Sequence, residues 1–303
     1  MTERPILLTG AHGFIGRAVL AELARLELPV HALDLGPPPA GLPAGTRWTN
    51  ASVNDEQALR QAMEGCGKVL HLAFVMDLEA EQAMASTTTN MLGTTRVFET
   101  ARELGLERVV WASSVMVYGP RGSYPKGAVG ETAEPMPRTA YGATKLALEW
   151  IARSYRRQGL ETVGLRFTTV FGPGRQRLGA AGFCVELFEQ AHRRLPLAVP
   201  QAARRANMLY IKDAVQACVR ALAAPTPLQD IYNIGGFECS VGELAQGAAR
   251  LAELPAPQLE PGGASPWPTD IAIDRARQDL AYEPHYPLSA ACQDYLQALK
   301  SDN

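Results

Sequence analysis

The chain has 303 residues, 47% of them hydrophobic, and 29 basic side chains stand against 31 acidic ones. That is enough chain to bury one large α/β core, alone or with a smaller lobe, and the near-balance of charge gives no global reason for a nucleic-acid or anionic-membrane partner. Five cysteines, Cys66, Cys184, Cys218, Cys239 and Cys292, are too scattered for a disulfide framework or a zinc knuckle and fit a reducing cytoplasm. The apolar run near the N-terminus ends at Gly10 without a cleavage pattern, and no segment reaches the roughly 18 apolar residues of a membrane span. A soluble, unprocessed protein is expected.

Short apolar runs alternate with helix-length amphipathic stretches. "PILLT" precedes a helix over 14–26, "VHALD" one over 55–64, "KVLHLA" one over 88–104 and "RVVWAS" one over 139–158, before "TVGLRF" closes the series. Buried strands separated by helices imply βαβ crossovers, hence an α/β fold with a Rossmann-type doubly wound parallel sheet. "GPPPAGLPAG" at 36–45 reads as a stiff loop after the second strand. After "VFGPG" the rhythm breaks into helical stretches near 180–194 and 240–253, joined by Pro-, Ala- and Gly-rich connections. The division expected is residues 1–171 as a dinucleotide-binding domain, with 209–235 returning to it, and 172–208 with 236–303 as a smaller substrate-binding lobe.

"LLTGAHGFIG" places Gly10, Gly13 and Gly16 between the first strand and the first helix. Glycines there let the backbone turn tightly, approach a pyrophosphate and aim a helix N-terminus at the anion. His12 inside the loop reads as a solvent-facing residue. The second strand ends in Asp34, where a carboxylate accepts hydrogen bonds from ribose hydroxyls and repels a 2′-phosphate; no Arg follows it, which favours NAD over NADP. The alternative is a capping Asp before the Pro-rich loop.

With this loop, "HLAF" (71–74), "NMLGTTRVFETA" (90–101), "SSVMVYG" (113–119) and "YGATK" (141–145), the chain resembles the extended short-chain dehydrogenase/reductase family, also called the NAD-dependent epimerase/dehydratase family. The likeness continues through "LRFTTVFGPG" (165–174), "MLYIKDAVQA" (208–217), "IYNIGG" (231–236) and "LAYEPHYPLSAA" (280–291), in order over nearly the whole chain.

The resemblance implies that Gly10, Gly13, Phe14, Ile15 and Gly16 hold the pyrophosphate of NAD and that Asp34, with Leu35 beside it, holds the ribose. Ser52 and Val53 are implied to flank the adenine, and Leu72, Ala73 and Phe74 to line the cofactor. Asn90 is implied to sit in the helix behind the active site, and Phe167 and Val170 near the nicotinamide. Tyr141 resembles the family's acid/base, Lys145 its partner and Ser114 the hydroxyl that holds the substrate oxygen. A phenol, with a reference pKa near 10, is a poor base at neutral pH unless a nearby cation favours the phenolate. Lys145, one helical turn away, supplies that charge in this reading. Ser113 is the alternative to Ser114, with a strand-end residue pointing into the sheet as the favoured reading, and His71 reads as a satisfied core histidine. No His, Cys and carboxylate cluster has metal-ligand spacing, so no metal is expected.

Family members that dehydrate nucleotide sugars carry an adjacent Asp-Glu pair where this chain has Val115 and Met116, which disfavours elimination chemistry. Nucleotide-sugar enzymes of the family usually show an Asn where Thr169 stands, a Gly-Asp-Gly turn where "PQAARR" (200–205) stands, and an Arg where Ala206 stands. Arg204 or Arg205 could compensate by a register shift, and Arg175 or Arg177 could reach an anionic group, which keeps a sugar acid or phosphate ester in play. The reading is an NAD-dependent oxidoreductase acting at a secondary alcohol or ketone of a sugar, sugar acid or polyol. The rivals are a nucleotide-sugar epimerase with tightly bound NAD and a non-catalytic NAD sensor. The resemblance also implies a homodimer packed through the helices near 90–104 and 141–158.

Overall fold

The computed structural model describes residues 4–76, 82–177, 181–265 and 267–301. In chain order its elements are β1 (Ile6–Thr9), α1 (Phe14–Arg25), β2 (Val30–Asp34), β3 (Arg47–Asn50), α2 (Glu56–Met63), β4 (Lys68–His71), α3 (Ala83–Thr87), a π-helical turn (Thr88–Gly93), α4 (Thr94–Glu103) and β5 (Arg108–Ser114). There follow α5 (Ala140–Arg157), β6 (Glu161–Phe167), β7 (Thr169–Phe171), α6 (Gly182–His192), β8 (Ala198–Val199), β9 (Arg205–Tyr210) and α7 (Ile211–Ala223). The chain closes with β10 (Ile231–Ile234), β11 (Phe237–Ser240), α8 (Val241–Leu251), β12 (Gln258–Leu259), α9 (Asp274–Leu280) and α10 (Leu288–Ser301).

Seven parallel strands form the central sheet in the order β10-β6-β5-β4-β1-β2-β3. Alternate strand residues feed opposite faces. Ile6, Leu8, Leu70 and Val110 pack with Val19, Leu20 and Leu23 of α1 and with α7, whereas Leu7, Val69, Val109 and Trp111 pack with Leu59 and Met63 of α2, Val97 and Phe98 of α4 and Leu148 of α5. Each such fully buried side chain contributes about 1.5–3 kcal/mol through area removed from water, and burial on both faces is why these strands read as continuous apolar runs. The strand order reverses between β4 and β1, and in open α/β sheets the crevice beyond the carboxyl ends at such a point is where ligands bind.

Three features depart from the expectation: the edge strand β3, a π-helical turn and a second sheet. β3 pairs with β2 at the sheet edge, yet "RWTN" is four residues of mixed exposure, too short and polar to read as a strand. The helix expected over 88–104 begins in a π-helical turn, a form frequent at functional sites, before α4 continues it. The stretch expected near 180–194 is helical from Gly182 to His192, with 178–180 outside the described residues. Beyond the central sheet, β11, β9 and β7 form a second, three-stranded sheet, which no apolar rhythm announces. Among the described residues no helix is long and apolar enough to cross a membrane.

Candidate active site

A cleft runs along the carboxyl ends of the central strands and divides into two cavities that share Gly10, Gly13, Leu72 and Phe74. The first, about 350 Å³, lies over β2 and is lined by Asp34, Leu35, Ser52, Val53, Ala73 and Val75. Gly13 caps α1, so the helix N-terminus opens onto the cleft. Gly16 packs so closely that a Cβ there would lie 1.9 Å from the Gly10 carbonyl oxygen. Asp34 accepts from the backbone N–H of His12 at 2.8 Å and from that of Leu35 at 2.7 Å. A carboxylate has about four acceptor sites, so two remain for ligand hydroxyls. Asp34 is therefore bound into the loop and still able to bind outward. His12 is not solvent-facing: its ring packs edge-on against Trp48, 4.6 Å between centroids, and its Nε2 meets the Pro37 carbonyl at 2.9 Å.

The second cavity, about 250 Å³, holds Phe14, Ile15, Gly16, Ser114, Tyr141, Lys145, Phe167 and Val170 in one lining. Ser114 ends β5, and its Oγ accepts from the Met116 N–H at 3.1 Å, which fixes the turn that follows. Thr139 caps α5 through the Gly142 N–H at 3.0 Å. A Cβ on Gly142 would stand 2.2 Å from the Met116 oxygen, so only glycine lets the head of α5 approach that turn and bring Tyr141 beside Ser114.

Burial pushes the Tyr141 phenol up to about 12, against the opposing pull of Ser114 and of the Arg175 charge. Lys145 is almost fully buried; its Nζ donates to the Ala112 oxygen at 2.6 Å and lies 3.1 Å from the Phe74 ring centroid and 5.5 Å from that of Tyr141. Burial drives its ammonium well below the ordinary value, opposed by Glu149. The expectation gave Lys145 alone the task of favouring the phenolate; Arg175, which lines the same cavity, acts in the same direction.

Asn90 lines neither cavity. It lies in the π-helical turn and closes a two-bond clamp on Val75, accepting from its N–H and donating to its oxygen, both at 2.8 Å. Its connection to the cleft is through the position of Val75, which lines the first cavity. His71 is the satisfied core residue expected, with Nδ1 2.7 Å from Thr9 Oγ1 and Nε2 2.9 Å from Thr94 Oγ1, and burial lowers it to about 3. Ser113 donates to Glu149 Oε1 at 2.6 Å.

The sequence reading missed Met76, Thr168, Ala181 and Trp267, which also line the second cavity. Thr168 lies inside the quoted motif "LRFTTVFGPG" without being singled out, and Met76, Ala181 and Trp267 come from three further segments with no motif to mark them. Of the four arginines kept open for an anionic group, only Arg175 lines this cavity. Arg177 pairs with Glu189, Arg205 with Glu238 at 2.6 Å and Glu243 at 3.4 Å, and Arg204 lies over the Phe183 ring. Among the described residues no group of three metal-binding side chains converges.

The model of the NAD dependent epimerase/dehydratase family matches residues 6–235. This chain belongs to that family. It is 31% identical over 250 residues to protein y4nG of Sinorhizobium fredii, covering 82% of this chain and 60% of that one. Thus it spans well under two thirds of that relative's length. Against YtcB of Bacillus subtilis, described as a UDP-glucose epimerase, identity is 30% over 301 residues and 92% of each chain is covered. The structure of MoeE5 in complex with UDP-glucuronic acid and NAD superposes with a TM-score of 0.85 at 27% identity, covering 99% of this chain and all of the other.

Membership implies NAD as the cofactor, and the cleft fits it. The family's diphosphate loop, helix N-terminus and strand-end carboxylate are all present and face one continuous space. Bound NAD supplies a hydride acceptor or donor.

Proposed function

We propose that the enzyme moves a hydride and a proton between a secondary alcohol and a ketone of a sugar derivative, with Ser114, Tyr141 and Lys145 as the catalytic residues. The observation that carries this is their convergence in one cavity continuous with the adenosine end of the cleft. In alcohol oxidation Ser114 Oγ holds the reacting oxygen and the Tyr141 phenolate takes its proton as hydride leaves the same carbon. Arg175 and Lys145 favour the phenolate, and a dry, apolar wall of Phe74, Met116 and Phe167 strengthens every charge in the site. In the cofactor cleft, Phe14 and Ile15 follow the glycine loop, Leu72 and Ala73 lie at the end of β4, and Val170 with Phe167 closes the nicotinamide end.

Met116 lines this cavity, and no Asp or Glu does among the described residues. This supports redox chemistry at one carbon over elimination. The single substrate-facing arginine, Arg175, supports an anionic sugar derivative such as a sugar acid. A second reading, a nucleotide-sugar epimerase that keeps its NAD, draws on the UDP-sugar complex of MoeE5 and the UDP-glucose epimerase description of YtcB. Against it stand Ala206, Thr169 and the commitment of Arg205 to surface glutamates.

The deciding experiment follows NADH absorbance with sugars, sugar acids, polyols and nucleotide sugars, alongside substrate isomerisation. Net NADH establishes the dehydrogenase; isomerisation without it establishes the epimerase. Tyr141→Phe lowers kcat by about 10²–10⁴ with NAD affinity kept, and full activity in that variant defeats the assignment. Exposed Leu92 and Trp150, in the π-helical turn and on α5, support a homodimer through these helices, checked by solution mass. Five buried free thiols support a reducing, cytoplasmic setting.

A further inference from the structure

Tyr141, Lys145 and Glu149 recur every four residues along α5 and so form one stripe. Two of the three are assigned above; Glu149 is not. It is as deeply buried as Lys145. An anion there needs complete hydrogen bonding, and it has it. Glu149 Oε1 accepts from Ser113 Oγ at 2.6 Å and Arg166 Nε at 2.8 Å, and Oε2 accepts from Arg166 Nη2 at 2.6 Å. Arg166 then donates through Nη1 to the Tyr118 hydroxyl at 2.7 Å, which reaches Asn233 Oδ1 at 2.9 Å.

A buried ion pair of this kind is seldom worth more to stability than an apolar pair of the same shape, so its location is the informative property. Ser113 precedes Ser114 on β5, Arg166 precedes Phe167 on β6, and Glu149 lies one turn beyond Lys145 on α5. One carboxylate thus ties together the three elements that carry the reacting groups. The groups facing Lys145 are Tyr141 and Glu149 from its own helix, Phe74 and the Ala112 oxygen across the cleft, and neutral His71 from β4, with Arg175 acting on Tyr141 from the loop after β7. Glu149 is the anion among them.

We propose that Glu149, fixed by Arg166 and Ser113, is a positioning residue that ties α5 to β5 and β6 and sets an anion one helical turn from Lys145, favouring its ammonium form for the proton transfer at Tyr141. This rests on the reading that Tyr141 and Lys145 perform that transfer. A bidentate arginine leaves the carboxylate no rotational freedom, so its field falls on Lys145 from a constant direction.

The test is a pH titration of the five lysines (Lys68, Lys126, Lys145, Lys212, Lys300) by carbon NMR of ε-labelled lysine in the NAD-loaded protein, with Lys145→Met assigning the signal. In Glu149→Gln the Lys145 midpoint falls by about one pH unit, a tenfold change in its proton affinity; in Glu149→Asp, which keeps the charge, it stays within a few tenths. Because Glu149→Gln strands the Arg166 charge, Glu149→Gln/Arg166→Met is the second variant; it removes a neutral pair, so it reports the loss of the tie between α5, β5 and β6 through kcat rather than through the Lys145 midpoint. Turnover on the substrate identified above drops about tenfold in kcat in each Gln variant, with NAD affinity within twofold. An unmoved Lys145 midpoint, or wild-type kcat in the double variant, overturns the inference. Activity in Tyr141→Phe instead defeats the proton-transfer reading, so the two failures are distinguishable.

Discussion

The two ends of the cleft are built differently. The adenosine end is assembled from the first 90 residues, largely from backbone and from one carboxylate, Asp34, at the end of β2. The catalytic end draws side chains from segments spread between Gly10 and Trp267. A nucleotide's phosphates and ribose are recognised by peptide N–H groups and one acid, which local chain geometry supplies. A substrate is recognised by side chains, which only packing brings together. NAD affinity is accordingly expected to tolerate changes after residue 90 better than substrate choice does.

Four experiments break or sharpen that contrast. The largest effect is expected for Gly16→Ala. Its Cβ would meet the Gly10 oxygen at 1.9 Å, so the loop must part, costing about 1–3 kcal/mol of stability and about 100-fold in NAD affinity read by calorimetry. Wild-type affinity would refute the close-approach argument. Arg175→Met sits at the other end. It lowers kcat/KM on every substrate by removing a cation that favours the Tyr141 phenolate, and by about a further 10-fold on acidic ones, the worth of a charged hydrogen bond, with NAD affinity unchanged; an equal loss on acidic and neutral sugars would show that Arg175 does not read substrate charge.

Asp34→Asn is smaller, about tenfold in NAD affinity, with the preference for NAD over NADP reduced because the repulsion of a 2′-phosphate is gone. Competition between the two cofactors measures it. A pH-dependent effect on stability rather than on binding belongs to His71, at the end of β4. Its folded value, about 3, lies below its ordinary 6.5, so the unfolded chain binds the proton first as pH falls. Its contribution is complete above pH 6.5 and is lost progressively towards pH 3, by at most about 1.4 kcal/mol per pH unit. Urea denaturation of His71→Gln across that window is expected to show a shallower slope than wild type.

Much of the site was legible because it is local. Tyr141 and Lys145 are one helical turn apart, and the glycine loop is contiguous. Asn90 was legible as a motif residue but not as a clamp on Val75, because a side chain's partner fifteen residues away depends on the π-helical turn. The short strand β3 escaped because edge pairing with β2 compensates for weak propensity. Arg175 and Arg177 were equivalent as letters. Packing separated them, turning one into the cavity and the other to Glu189.

What the sequence by itself determined was the apolar strands β1, β2, β4, β5 and β6, the glycine loop and the one-turn spacing of Tyr141 and Lys145, since apolar runs, glycine spacing and helical periodicity are properties of neighbours in the chain. Tertiary structure alone decided that Arg175 lines the cavity with Tyr141 while Arg177 turns to Glu189, and that Glu149 lies buried against Arg166 one turn beyond Lys145. Those outcomes depend on desolvation and on contacts between residues far apart in sequence, and neither is fixed until the core has packed.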